Sequence, residues 1–376
     1  MYSLSPGIAL MAVKGTPLYL PRNQLQLLVD VLHGAGYDCV GPRVRDGAIT
    51  YEGITHAAEL PQGMHDTQSP GQYRLHAGDS PRLFAWANGP QAVKPLVFRP
   101  RETVWRVRRN DRGRLKFVAD APRAPLTAVI GVRACDLAAL KMLDEHYRGD
   151  TLYRARRKAL LLIAVNCTHP AQTCFCASTG DGPRADTGFD LALDELEDGY
   201  VIYAGTAKGR AIADSLPQHP AAREQRRAGK QASRHAAQQQ ARALPSRNLR
   251  DPLFANLHHP RWHDVAARCL SCGNCTSVCP TCFCHSQNEA AHLDGTESEH
   301  YRQWDSCFTQ GHSYIHGLVV RADTETRYRQ WLTHKLGGWH DQFGRSGCVG
   351  CGRCIAWCPV GIDITEEAAV ICGDGL

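Results

Sequence analysis

The chain has 376 residues, 43% of them apolar, and a formal charge of +6. That is enough for two or three domains with a substantial core, and no apolar run approaches the length of a membrane span. Seventeen cysteines are the outlying count, and they lie in tight local groups. Thiols two residues apart have metal-ligand spacing and point to a reducing, cytoplasmic setting rather than a disulfide framework. The opening stretch "MYSLSPGIALMAVKG" has no basic region before its short apolar run, so a secretory leader is not expected.

Residues 1–125 mix short apolar strands with Pro/Gly turns, among them "KPLVFRP", "ETVWRVRR" and "GRLKFVAD". "LTAVIGV" (126–132) reads as a strand, "DLAALKMLDEHY" (136–147) has helical spacing, and "ALLLIAVNC" is a second buried strand. Strand, helix and strand with continuous apolar strands make a βαβ unit in a covered, mostly parallel sheet. "GFDLALDELEDGYVIYAG" (188–205) reads as a hairpin. Residues 206–248, rich in Ala, Gln and Arg, read as helical and exposed. The expected organisation is an α/β domain over 1–205, a helical linker over 206–254 and a cysteine-rich domain over 255–376.

The last region holds one motif twice. Cys269-x2-Cys272-x2-Cys275-x3-Cys279-Pro280 is the first copy, and Cys348-x2-Cys351-x2-Cys354-x3-Cys358-Pro359 the second. Thiolates at i, i+3 and i+6 wrap a loop around one iron–sulfur cube, and the fourth cysteine ligates the other cube in two-cluster proteins. The spacing therefore assigns Cys269, Cys272, Cys275 and Cys358 to one [4Fe–4S] cluster, and Cys348, Cys351, Cys354 and Cys279 to a second. Zinc sites pair two CxxC units and lack the third cysteine and the CP ending. The stretch 280–347 between the copies contains helical patterns such as "RYRQWLTHKL". An α-helical ferredoxin-like dicluster domain with an insertion is expected, and the whole chain reads as α+β.

Nine cysteines remain. Cys135 and Cys167 follow the two strands of the βαβ unit, and Cys174 and Cys176 follow in the next loop. C-terminal ends of neighbouring parallel strands lie side by side, so these four thiols converge on one sheet edge. Four is the count for a third [4Fe–4S] cluster. Buried structural cysteine is the alternative. Cys282, Cys284 and Cys307 form a weaker set, suited to packing or hydrogen bonding beside the first cluster, or to a cluster that borrows a ligand such as His285. Cys39 and Cys372 have no partners in sequence and read as inert. Asp136, beside Cys135, reads as a helix N-cap. The i, i+4 histidines of "HSYIH" (312–316) have no helix-borne carboxylate to join them, and read as a solvated or core pair rather than a metal site.

Each oxidised cluster with its thiolates adds a charge of about −2, so three would offset the +6. "RARRK" (154–158) and "REQRR" (223–227) then read as solvated helix faces, and nucleic acid is not an expected partner. No GxGxxG follows a strand, since "GDGPR" lacks the pattern.

In this order, "GVRACDLAALKMLDEHY", "VNCTHPAQTCFCASTGDGP", "CLSCGNCTSVCPTCFC", "WDSCF" and "CVGCGRCIAWCP" closely resemble two related subunits. One is the β subunit of cytoplasmic NAD(P)-linked [NiFe] hydrogenases, or sulfhydrogenases; the other is the electron-transfer subunit of anaerobic sulfite reductases. The resemblance implies electron relay, with no catalytic site in this chain. It implies a flavin-containing subunit that reacts with NAD(P)H, and a catalytic subunit with [NiFe] or siroheme chemistry. It also makes "TCFC" part of the first cluster's surroundings. A self-contained flavin and iron–sulfur reductase of sulfur compounds is the alternative enzyme class.

Overall fold

The computed structural model describes residues 15–110, 112–119, 124–245 and 247–373. The opening stretch read for a leader lies outside them but for its last residue. A seven-stranded sheet forms the centre of the N-terminal half. Its strands run in the order Leu18–Pro21, Gly199–Ala204, Leu191–Glu195, Leu160–Val165, Thr127–Val132, Asp38–Arg45, Ala48–Gly53. Leu160–Val165 is buried at all six positions, as a strand covered on both faces must be. Helices Ala134–His146 and Thr151–Ala159 connect it to Thr127–Val132, completing the βαβ unit.

The sheet is parallel only in its middle. Three pairings are parallel and three antiparallel, which corrects the mostly parallel expectation. The reason is local. Two short hairpins flank the parallel middle, and a tight turn can only join antiparallel neighbours; Leu18–Pro21 adds one more antiparallel strand at the edge, beside Gly199–Ala204. At one of them Asp46 and Gly47 both have positive φ, 49° and 73°, the turn whose twist suits a hairpin. The segment "KPLVFRP" is likewise not a strand. Lys94–Val97 is a single helical turn with Pro95 in its first turn, where a missing N–H removes no bond.

The helix Arg223–Gln238 is mostly exposed but rests one side on the sheet. Gly229, Ser233 and Ala236 are buried. A Cβ on Gly229 would stand 2.4 Å from Asp194 Oδ2, so glycine lets the helix lie against the sheet. Beyond it, helices including Arg261–Arg268, Thr324–Thr333 and Ile364–Cys372 close a second core around Trp262, Tyr328, Trp331, Leu332 and Ile355.

The cysteine-rich half is not purely helical. His285–Ala291 and Glu297–Trp304 form a hairpin, and the second of these pairs antiparallel with Arg101–Arg109. Leu115–Ala119 completes a four-stranded sheet built from both halves of the chain. The two strands of the 285–304 hairpin are polar and half-exposed, so no apolar alternation announced them.

A buried charge cluster ties this sheet down. Glu102 accepts from Arg302 at 2.7 and 2.9 Å and from Arg156 at 3.0 Å, all three being under 9% exposed. Removing the shared carboxylate would leave the buried Arg156 guanidinium with only the Val97 carbonyl oxygen, and Arg302 with only Asp150. Glu102→Ala should therefore lower stability by about 3–5 kcal/mol. The check is the denaturation midpoint beside that of the parent chain; an unmoved midpoint would show that the cluster adds nothing.

Candidate metal centre

The two cysteine motifs have the same local build. Each crosses a left-handed backbone position before its third cysteine: Gly273 at φ 75° and Gly352 at φ 71°, each opening a short helix. In the second motif the glycines also allow close approach. A Cβ on Gly350 would meet the Cys176 backbone at 2.5 Å, and one on Gly352 the Thr173 carbonyl oxygen at 2.2 Å. Phe175 N donates to Gly350 O at 2.8 Å. The second motif is thus pressed against the loop that carries Cys174 and Cys176.

Two cavities result. Cys269, Cys272, Cys275 and Cys358 line the first, with Phe308, Tyr328 and Trp331. Cys279, Cys348, Cys351 and Cys354 line the second, with Phe175, Trp331 and Lys335. The fourth cysteine of each motif therefore stands with the other motif's first three. Cys354 and Trp331 belong to both walls, so the cavities are neighbours.

The donor set fits an iron–sulfur cube. Among the described residues no three His, Cys, Asp or Glu groups gather tightly enough for a single ion, as zinc would require. Buried donors are also left over. Tyr328 Oη and Trp331 Nε1 have no partner among the described residues. Buried polar groups are rarely left unpaired, and cluster sulfurs are acceptors of the right kind. Burial pushes the Cys348 thiol up to about 12 and the Cys351 thiol up to about 11. Crowded thiolates thus need a cation to hold them.

Cys279 departs from this pattern. A hydrogen bond from the Cys282 thiol holds Cys279 well below the usual thiol range, and Lys335 and Thr281 help. Burial opposes the charge on Lys335, yet Cys279, Cys282 and Cys348 together hold it above the usual lysine range. Cys282 thus reaches Cys279, which lines the second cavity. Cys282 and Cys284 also line a separate cavity with Cys272, Asp305 and Lys94. There Lys94 donates to Ser277 O at 3.1 Å and lies 3.9 Å from the Trp304 ring centroid. Cys307 faces Cys275 and Cys284. His285 packs its ring edge against Phe98 at 6.0 Å, with Nδ1 3.2 Å from Phe283 O.

The N-terminal thiols also come together. Cys135 lies in the first turn of Ala134–His146, directly after one central strand, and Cys167 follows the next. Cys174 feels Cys176 and Cys167, Cys176 feels Cys167, and Cys135 feels Cys176, each adding to burial in pushing these thiols up. Cys135, Cys174 and Cys176 all also feel Cys351 of the second motif. Cys174 Sγ lies 3.8 Å from Cys351 O, and Gln240 Nε2 donates to Cys176 Sγ at 3.3 Å.

Asp136 is not the N-cap expected of it. Arg133 holds the cap position, and Asp136 is buried three residues on. It pairs with Arg353 at 2.8 Å, both being 2% exposed. That bond joins the residue beside Cys135 to the residue beside Cys354. Arg353, Lys335 and Tyr328 escaped the sequence reading because nothing in their spacing separates them from ordinary helix residues. Among the rest, Cys39 is buried in the central core. Of the histidines of "HSYIH", His312 precedes a two-stranded hairpin and His316 sits in its turn at φ 46°.

Residues 268–362 match the family model of the 4Fe-4S dicluster domain. The chain is 31% identical over 281 residues to sulfhydrogenase 2 subunit beta of Pyrococcus furiosus, which covers 72% of this chain and 79% of the relative. No solved structure matches. No helix among the described residues is long and apolar enough to cross a membrane.

Proposed function

The chain belongs to the sulfhydrogenase beta-subunit family, and on that premise we propose that it is the iron–sulfur relay of a multi-subunit oxidoreductase. In this reading it passes electrons between a flavin-containing subunit that reacts with NAD(P)H and a catalytic subunit of the [NiFe] hydrogenase kind. The sulfhydrogenase relative favours that partner over a siroheme sulfite reductase.

The observation that carries the reading is that the three groups of thiols are neighbours. The first and second cavities share Cys354, and Cys174 Sγ lies 3.8 Å from Cys351 O. Cys269, Cys272, Cys275 and Cys358 would hold one [4Fe–4S] cluster. Cys348, Cys351, Cys354 and Cys279 would hold the next, and Cys135, Cys167, Cys174 and Cys176 a third. Clusters of this kind take up and give up single electrons without changing their ligands. The protein's part is to hold the thiolates, to exclude water with Phe175, Tyr328 and Trp331, and to keep neighbouring centres close. Cys272 is the exposed cysteine of the first group, which suits exchange with a docked partner there.

The full chain, prepared without oxygen, should carry about twelve iron and about twelve acid-labile sulfide, four of each per cluster. Eight of each would remove the third cluster from the proposal. Zinc in place of iron would end it.

A further inference from the structure

Lys335 is 4% exposed and sits in a π-helical turn, His334–Gly338, where Trp339 N donates to His334 O five residues back. Such turns mark places where an extra residue has been fitted into a helix, and they occur often at functional sites. The ammonium group donates to Thr281 Oγ1 at 2.8 Å and Gly347 O at 3.4 Å. Both acceptors are neutral, and among the described residues no carboxylate pairs with Lys335. A buried ammonium without a counter-anion is costly. The cavity that Lys335 lines supplies one: it is walled by Cys279, Cys348, Cys351 and Cys354.

We propose that Lys335 is a fixed positive charge that sets the reduction potential of the centre held by Cys279, Cys348, Cys351 and Cys354. The inference rests on the iron–sulfur reading above. That centre carries a charge of about −2 when oxidised, and one more negative charge when reduced. A neighbouring cation stabilises the more negative form more strongly, because Coulomb energy scales with the product of the charges. Lys335 therefore raises this potential above what a neutral side chain in its place would give. Thr281 positions it, and the same hydroxyl lies 3.2 Å from Cys279 Sγ. The lysine touches no substrate; it acts through the centre's charge.

The test is Lys335→Met in the full chain, with iron content and an EPR-monitored redox titration. At a potential near the midpoint, the reduced-to-oxidised ratio of one centre should fall at least tenfold, about 59 mV for one electron. The other centres should hold their potentials, and the iron should stay. Full iron with an unmoved midpoint would overturn the proposal, as would an equal shift in every centre. If Lys335→Met loses iron, Lys335→Arg decides: a retained midpoint supports the charge, and loss or an equal shift refutes it. Failure of the underlying reading looks different, since the unmodified chain would then carry no iron.

Discussion

Cys174→Ala should release about four of the twelve iron expected per chain and leave about eight. Cys174 lies near Cys167 and Cys176, and in the proposed third cluster its loss would leave three thiolates around a charged cube. A serine or water in the fourth place weakens such a site and shifts its potential, since both follow ligand type and net charge. The eight cysteines around the two C-terminal cavities are other residues, so their clusters should remain. Electron flow to and from partner subunits should drop with the missing relay point. Cys284→Ala is the counterpart. Cys284 lines the cavity shared with Lys94 and Asp305 and belongs to neither cluster cavity, so it should keep all the iron and change at most a potential. Iron per chain for both variants, with EPR of the reduced forms, reads the result. Full iron in Cys174→Ala with loss in Cys284→Ala would move the third cluster to Cys282, Cys284 and Cys307.

Cys279→Ser should disturb the centre of the motif that lies furthest from it in sequence. Cys279 shares a wall with Cys348, Cys351 and Cys354, and not with Cys269, Cys272 and Cys275. It is also the thiol held lowest, by the hydrogen bond from Cys282 and by Lys335. A serine keeps an oxygen that can ligate but gives up both the thiolate and that favourable setting. The expected result is an altered or missing EPR signal from the second centre alone, with as much as a third of the iron lost. If only the signal of the centre at Cys269, Cys272 and Cys275 changes, the exchange of fourth ligands between motifs is wrong.

The parts of this molecule that were legible in its sequence are those written locally. Thiols at i, i+3 and i+6 declare their purpose within ten residues. The runs before Cys135 and Cys167 are continuously apolar, which only a covered strand tolerates. The parts that were not legible depend on distant partners. Glu297–Trp304 carries no apolar alternation because half of it faces water, so its pairing with Arg101–Arg109 left no local trace. The outer antiparallel strands of the central sheet follow from where two hairpins and the segment Leu18–Pro21 dock, which periodicity does not encode. Lys335 lies in a stretch that scans as plain helix, and only the cavity beside it shows why a lysine is there. Asp136 likewise reads as a cap until Arg353, far along the chain, is seen to claim it.

The sheet built from both halves sets a condition on how the protein is made. Arg108 and Glu297 meet across it, yet they are 189 residues apart. At 5–20 residues per second, roughly ten seconds or more separate their appearance from a ribosome. Through that interval the strand Arg101–Arg109 offers one unpaired edge to whatever is near. Its exposed arginines suit such a wait, because charged side chains on an open edge discourage pairing with other chains. The edge closes only when the hairpin 285–304 arrives, and that hairpin lies between the two cysteine motifs. Completion of the first-made half and delivery of the last cysteines are thus consecutive events on one growing chain, so the scaffold is finished just as its metal-binding loops become available.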